Sequence, residues 1–165
     1  MTEFEILEWI KMSWPGPAAR SSKWLFVFGE SLHFIGLCML FGSLLFVDLR
    51  VMGFYKKIPG RSVLTFLPFA VIGFTINALT GYLLFSSAPA TYWGNPAFLW
   101  KMGLILVAGL NALVFTIWEH EKVARLGPGD DAPTSARVMA AGSLIIWLIV
   151  LLIGRWLPLF TVGTN

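Results

Sequence analysis

Four long apolar stretches, separated by short polar ones, set the pattern of this chain. Residues 24–49, 62–87, 98–118 and 135–157 each reach the roughly 20 residues that a helix needs to cross about 30 Å of hydrocarbon. Ahead of them, residues 2–13 mix Phe4, Leu7, Ile10 and Met12 with Glu3, Glu5, Glu8 and Lys11. This uneven alternation predicts a short helix lying flat at a membrane surface, with Trp14 as an anchor. A helical cap over the mouth of the bundle fits the same pattern. Trp14-Pro15-Gly16-Pro17 ends that helix, and Gly127-Pro128-Gly129-Asp130 with Pro133 marks an exposed turn between the last two spans. The expected fold is all-α: an integral membrane antiparallel four-helix bundle over 24–157, an interfacial segment over 1–23 and a short tail over 158–165.

Within the spans, small residues mark places where helices can approach closely, namely Gly29, Gly36, Gly42 and Gly73, and Ala140, Ala141 and Gly142 in the fourth span. Pro68 falls early in the second span, where a kink or an altered first turn is expected. Of the 165 residues, 57% are hydrophobic and 13% charged. Soluble domains carry about 25% charged residues, so the composition excludes an ordinary soluble enzyme. The single cysteine, Cys38, has no partner for an internal disulfide or a cysteine-based metal site.

Charge adds topology. The 1–2 loop holds Arg50, Lys56, Lys57 and Arg61, and the 3–4 loop holds Lys122, Arg125 and Arg137, whereas the 2–3 loop, 88–96, has no charge. By the positive-inside rule, the first and third loops are cytoplasmic and both termini face outward. In a bacterial inner membrane that side is the periplasm. The pI near 9.2 thus reads as membrane topology rather than nucleic-acid binding. No cleavable signal peptide is expected, because acidic residues stand where a basic leader would be.

The remaining polar residues inside the spans carry the candidate chemistry. His33 lies nine residues after Trp24, roughly 13 Å into the first helix, and Asn77 reaches a similar level from the end of the second. Lys101 sits near the start of the third helix, and Arg155 near the end of the fourth. Glu30 and His33 are three apart and share a helix face. Lys101, Leu104, Ala108, Asn111, Phe115 and Trp118 follow the 3- and 4-residue spacing of an inward seam. Gly73, Asn77 and Gly81 mark one face of helix 2, and Tyr82, Tyr92 and Trp93 are expected at the outer entrance or in an interfacial aromatic belt. Glu30, His33, Asn77, Lys101 and Arg155 therefore belong to the outer half of one bundle, and ionisable residues at such depth are functional candidates.

A neutral histidine in an apolar bundle suits axial ligation of haem iron. Lysine and arginine would then neutralise propionates, and asparagine would orient a water or donate a hydrogen bond. A histidine near a carboxylate would equally serve proton transfer or a quinone, and a Glu30–Lys101 ion pair with a hydrogen-bonded His33 would serve packing alone. His120 belongs to the opposite mouth and cannot share one haem with His33 in the same subunit. A bis-histidine haem would need a neighbouring chain. Asp48 and Arg50 form a second polar group at the cytoplasmic end, with Arg50 expected to anchor on lipid phosphate or Glu119.

Leu32-His33-Phe34-Ile35-Gly36, Phe41-Gly42-Ser43-Leu44-Leu45-Phe46, Leu49-Arg50 and Trp100-Lys101-Met102-Gly103-Leu104 resemble the HemJ/CopD group of small helical membrane proteins, and the uncharacterised bacterial four-helix families near it, over about 24–120. The resemblance implies protoporphyrinogen oxidation with haem b, with His33 and Lys101 as functional residues, or copper transport. The core is too poor in cysteine and methionine for a soft copper path. The long N-terminal segment and the few histidines after helix 3 depart from the HemJ pattern. The expected function is haem b binding in electron transfer or tetrapyrrole oxidation, with His33 as the metal's axial ligand, Glu30 and Lys101 catalytic, and Asn77, Lys101 and Arg155 contacting the cofactor. A structural subunit of a larger membrane complex, a homo-oligomer and a proton or ion carrier using Glu30 are the alternatives.

Overall fold

In a computed structural model that describes residues 2–161, the chain is all-α. Among the described residues there are nine helices and no strand. They are α1 (Glu3–Met12), α2 (Gly16–Ser21), α3 (Lys23–Met52), α4 (Gly60–Leu64), α5 (Leu67–Ser87), α6 (Pro89–Trp93), α7 (Pro96–Trp118), α8 (His120–Ala124) and α9 (Thr134–Thr161). Four segments are long and apolar enough to cross a membrane: Lys23–Met52, Gly60–Ser87, Pro96–Trp118 and Thr134–Leu157. The protein is a multi-pass membrane protein of four antiparallel spans.

Local chemistry sets the ends of these helices. Thr2 and Glu5 form a reciprocal capping box at the start of α1. Ser22 caps α3 through Leu25 N–H, and Gly53 ends it in the left-handed conformation at φ 106°. Pro68 stands in the first turn of α5, where its missing N–H has no helical partner to lose. The expected irregularity is therefore a break: the second span consists of α4, a short turn at Thr65 and Phe66, and α5. The uncharged 2–3 connection, read as a loop, contains the short helix α6. The expected tail at 158–165 is also shorter, because α9 runs on to Thr161; residues 162–165 lie outside the described residues.

The spans pack as α3 on α5, α3 on α9 and α7 on α9. Lipid tails are as apolar as the side chains, so close fit rather than hydrophobic segregation holds such helices together. Gly36 and Gly73 supply that fit between α3 and α5. A Cβ on Gly73 would lie 2.5 Å from Leu40 N, and one on Gly36 would lie 2.8 Å from Ile76 Cγ2. Gly29 packs similarly under Leu83, whereas Gly42 and Gly142 face open space and take no part in helix approach.

At mid-depth, Leu40, Ala70, Ala108, Trp147 and Val150 bring all four spans into one buried layer. Trp147 fills its centre and meets Phe74 edge-on at 6.5 Å. A second cluster, including Val47, Val51, Leu64, Phe115, Val123 and Ala136, closes the end that carries the 1–2 and 3–4 loops. The seam on α7 faces inward from Lys101 to Phe115, but Trp118 is exposed. Outward-facing Trp100, Leu106, Leu113 and Ile117 leave α7 with an apolar surface suited to lipid.

Candidate functional site

The half of the bundle nearer the termini gathers polar groups from three spans around His33. Its imidazole lies against α5 at Gly81, where a Cβ would come 3.4 Å from His33 Cε1. Two turns of that helix face it with small or polar residues, Gly73, Asn77, Thr80 and Gly81. The Thr80 hydroxyl donates to the Ile76 carbonyl at 2.7 Å and contacts His33 Nδ1 at 2.9 Å. A hydroxyl has one proton. With that proton on the Ile76 carbonyl, Nδ1–H donates to Thr80 Oγ1, and Nε2 keeps its lone pair. The tautomer follows from the hydrogen-bond network. The Asn77 backbone carbonyl also lies against the imidazole, and among the described residues no hydrogen bond to Nε2 is present. The imidazole is thus oriented at one nitrogen and open at the other, the arrangement that second-shell partners give to metal-binding histidines.

Lys101 enters from α7. Its ammonium packs at Gly154 of α9, whose Cβ would lie 3.2 Å from Nζ, and it sits within electrostatic range of His33. The side chain is partly buried and has no hydrogen-bond or ion-pair partner among the described residues. Asn77 donates to the Gly73 carbonyl of its own helix at 3.1 Å, and its amide nitrogen lies where a Cβ on Gly36 would be. The Trp147 layer floors this region. Toward the termini, Phe85, Tyr92 and Phe98 of α5, α6 and α7 form an aromatic cluster: Phe85 and Phe98 stack with centroids 5.4 Å apart, and Tyr92 lies 5.7 Å from Phe98. Burial and the nearby Glu30 carboxylate hold the Tyr92 phenol above its ordinary pKa. Trp93 Nε1 donates to Glu3 at 2.7 Å and ties α1 to α6.

Two expected members stand apart. Glu30 is exposed, and neither a Glu30–Lys101 ion pair nor another hydrogen bond for Glu30 is present among the described residues. Three residues along α3 turn it off the buried face that His33 borders. Arg155 is exposed on α9, away from the Gly154 face that receives Lys101. Of the expected set, His33, Asn77 and Lys101 converge. Thr80 and Gly154 complete the group, although neither was singled out by the sequence pattern. Thr80 lies three and seven residues beyond Asn77 and Gly73, the spacing of one helix face.

At the opposite end most charged groups have partners, although Asp48 Oδ2, Glu119 Oε2 and Arg137 Nε are buried without one. Arg50, expected at lipid phosphate or Glu119, is fully enclosed (0% exposed). It donates to the carbonyls of Ile58, Gly127 and Asp130, tying the 1–2 and 3–4 loops together. Buried Glu119 accepts from Lys122 at 3.0 Å and Ser135 at 2.9 Å. Chiefly the Lys122 bond holds its carboxyl below the ordinary value. Asp131 pairs with Lys56 and Arg137 and is likewise held low, first by the Lys56 bond. His120 lies at this end, far from His33. Asp48 is buried beside Ser143 and leaves Oδ2 without a partner.

Among the described residues, no three His, Cys, Asp or Glu side chains gather as a metal-binding group. A metal at His33 would therefore have fewer than three such side chains from the described residues as ligands. No curated protein and no solved structure matches the chain. A family model does match residues 6–160, nearly the whole length, and the chain belongs to the family described as "Family of unknown function (DUF6644)".

Proposed function

We propose that the chain binds haem b in the half of the bundle nearer its termini, through His33, and acts in electron transfer or tetrapyrrole oxidation. One observation carries the reading: His33 keeps Nε2 open inside an apolar bundle while Nδ1 is held by Thr80. A lone protein ligand suits haem, because a porphyrin brings four nitrogen donors of its own. Lys101, a partly buried cation without a partner, suits a propionate, and Asn77 lies against His33 from α5. Haem iron supplies one-electron redox chemistry when bound. The chain's own residues orient the ligand nitrogen and place a counter-charge. Arg155 and Glu30 fit this reading only at the rim. The likeness of the His33 and Lys101 segments to the HemJ/CopD group points the same way. The basic 1–2 and 3–4 loops support the orientation in this reading, with those loops in the cytoplasm of a bacterial cell and both termini in the periplasm.

The test is the visible spectrum of untagged protein purified in mild detergent, with pyridine haemochrome analysis. A haem b spectrum is expected, and His33→Ala is expected to abolish it without unfolding the protein. A colourless, folded wild-type protein from haem-replete cells contradicts the proposal. The exposed apolar face of α7 supports a second reading, that the chain is a structural subunit whose partner helix covers this face. Purification from native membranes with a fixed partner would support it, and an isolated chain would count against it.

A further inference from the structure

The α4–α8 seam holds a recess of about 450 Å³ whose lining includes Arg61, Leu64, His120, Glu121, Ala124 and Arg125. Its formation follows from Gly60. A Cβ there would collide with the Val123 carbonyl, and Gly60 N–H donates to Leu126 at 2.9 Å, so α4 and α8 are drawn together at their backbones. Arg61 and Arg125 are exposed at its rim and have no ion-pair partner among the described residues. Other cations of these loops are engaged: Lys56 and Arg137 with Asp131, Lys122 with Glu119, and Arg50 with loop carbonyls, whereas Lys57 is exposed and outside the recess lining. The acid at the recess, Glu121, stands 3.8 Å from His120. Leu64 and Ala124 give an apolar floor.

Position in the membrane says which anion fits. Arg61 is the second residue of one membrane-long segment, and His120 lies two residues past the end of another, so the recess lies at headgroup depth. The spans that lead away from its two walls, α5 and α7, do not run backbone against backbone as α3 with α5 and α7 with α9 do, and meet through side chains such as Phe85 and Phe98. α5 and α7 carry exposed apolar side chains, including Phe69, Leu113 and Ile117, a surface that lipid chains can cover beside the basic pocket. Basic pockets between spans at the membrane surface suit anionic lipid headgroups. We propose that this recess binds a diacyl phospholipid with a net negative headgroup. Arg61 and Arg125 hold its phosphate, and its acyl chains lie along the exposed apolar surfaces of α5 and α7. This site is independent of the His33 reading.

The test is native mass spectrometry of delipidated protein titrated with phosphatidylglycerol. An Arg61→Gln/Arg125→Gln variant is expected to bind roughly thirtyfold more weakly, at about fivefold per basic side chain. An Arg20→Gln/Lys23→Gln variant at the opposite end is expected to bind as wild type. Equal weakening in both variants, or in neither, overturns the proposal. So does equal binding of phosphatidylcholine, or full competition by millimolar inorganic phosphate, which would mark a small-anion pocket. If the first variant does not fold, wild-type protein is crosslinked with phosphatidylglycerol carrying a photoreactive acyl chain. Adducts on α5 and α7 support the site, and adducts confined to other helices overturn it.

Discussion

Arg50 and Lys101 are both cations on membrane-spanning helices, and the two ends of the bundle treat them differently. Arg50 is completely enclosed, and its guanidinium meets three carbonyls from two loops. Lys101 is only partly buried, has no partner among the described residues, and lies near a histidine with one open nitrogen. Burial alone therefore does not mark a working site. The more deeply buried cation is satisfied by the backbone and holds the fold. The less buried one leaves its charge available. A partly buried cation without a partner, facing a histidine that Thr80 orients at Nδ1, is what points to a ligand.

The contrast breaks most sharply at Arg50. Arg50→Ala strands three carbonyls, each bonded to a charged donor worth about 1.5–3 kcal/mol. The expected loss is about 3 kcal/mol or more, or roughly 6–12 °C in the thermal midpoint in detergent. A wild-type midpoint would remove the structural half of the comparison. Next in size, Gly73→Leu forces α3 and α5 apart and is expected to cost about 1–3 kcal/mol. Gly42→Leu, on an open face, is expected to change nothing. Equal effects at both glycines would contradict the close approach at Gly36 and Gly73.

Thr80→Val sharpens the other half. It removes the acceptor for His33 Nδ1–H at nearly constant volume, and such second-shell losses weaken metal binding by about 10–100-fold. Haem retention during dilution in detergent reads this directly. Retention equal to wild type would mean that Thr80 does not orient the imidazole. The smallest effect is expected at Glu119. Its folded carboxyl is held below the ordinary value of 4.5, so its bonds contribute fully above that pH and are lost as pH falls through the lowered folded value. Glu119→Gln is expected to flatten the acid limb of the stability–pH profile below about pH 4.5 and to leave it unchanged in shape above. An identical acid limb would show that the Lys122 and Ser135 bonds contribute nothing measurable.

The four spans were legible because helix length and apolar runs are properties of the chain itself. Much of the inward seam on α7 was legible for the same reason, and so was the face bearing Gly73, Asn77 and Gly81. The role of Arg50 was not. A basic residue at a span end reads as a topology signal, and its burial depends on carbonyls 8, 77 and 80 residues away. Thr80 was equally hidden, since Thr75, Thr80 and Thr116 all bond the carbonyl four residues back, and only the packing of α3 makes one of them a partner of His33. Glu30 shows the reverse. Its three-residue spacing from His33 is compatible with a shared face, but on α3 that face is narrow, and Glu30 falls outside it.

The most direct measurement is haem b content per chain, by pyridine haemochrome, in wild type and His33→Ala of matched thermal stability. One haem per chain in the wild type and none in the variant is the expected result. A colourless wild type, or haem content unchanged by the loss of His33, would contradict a ligand at the open nitrogen.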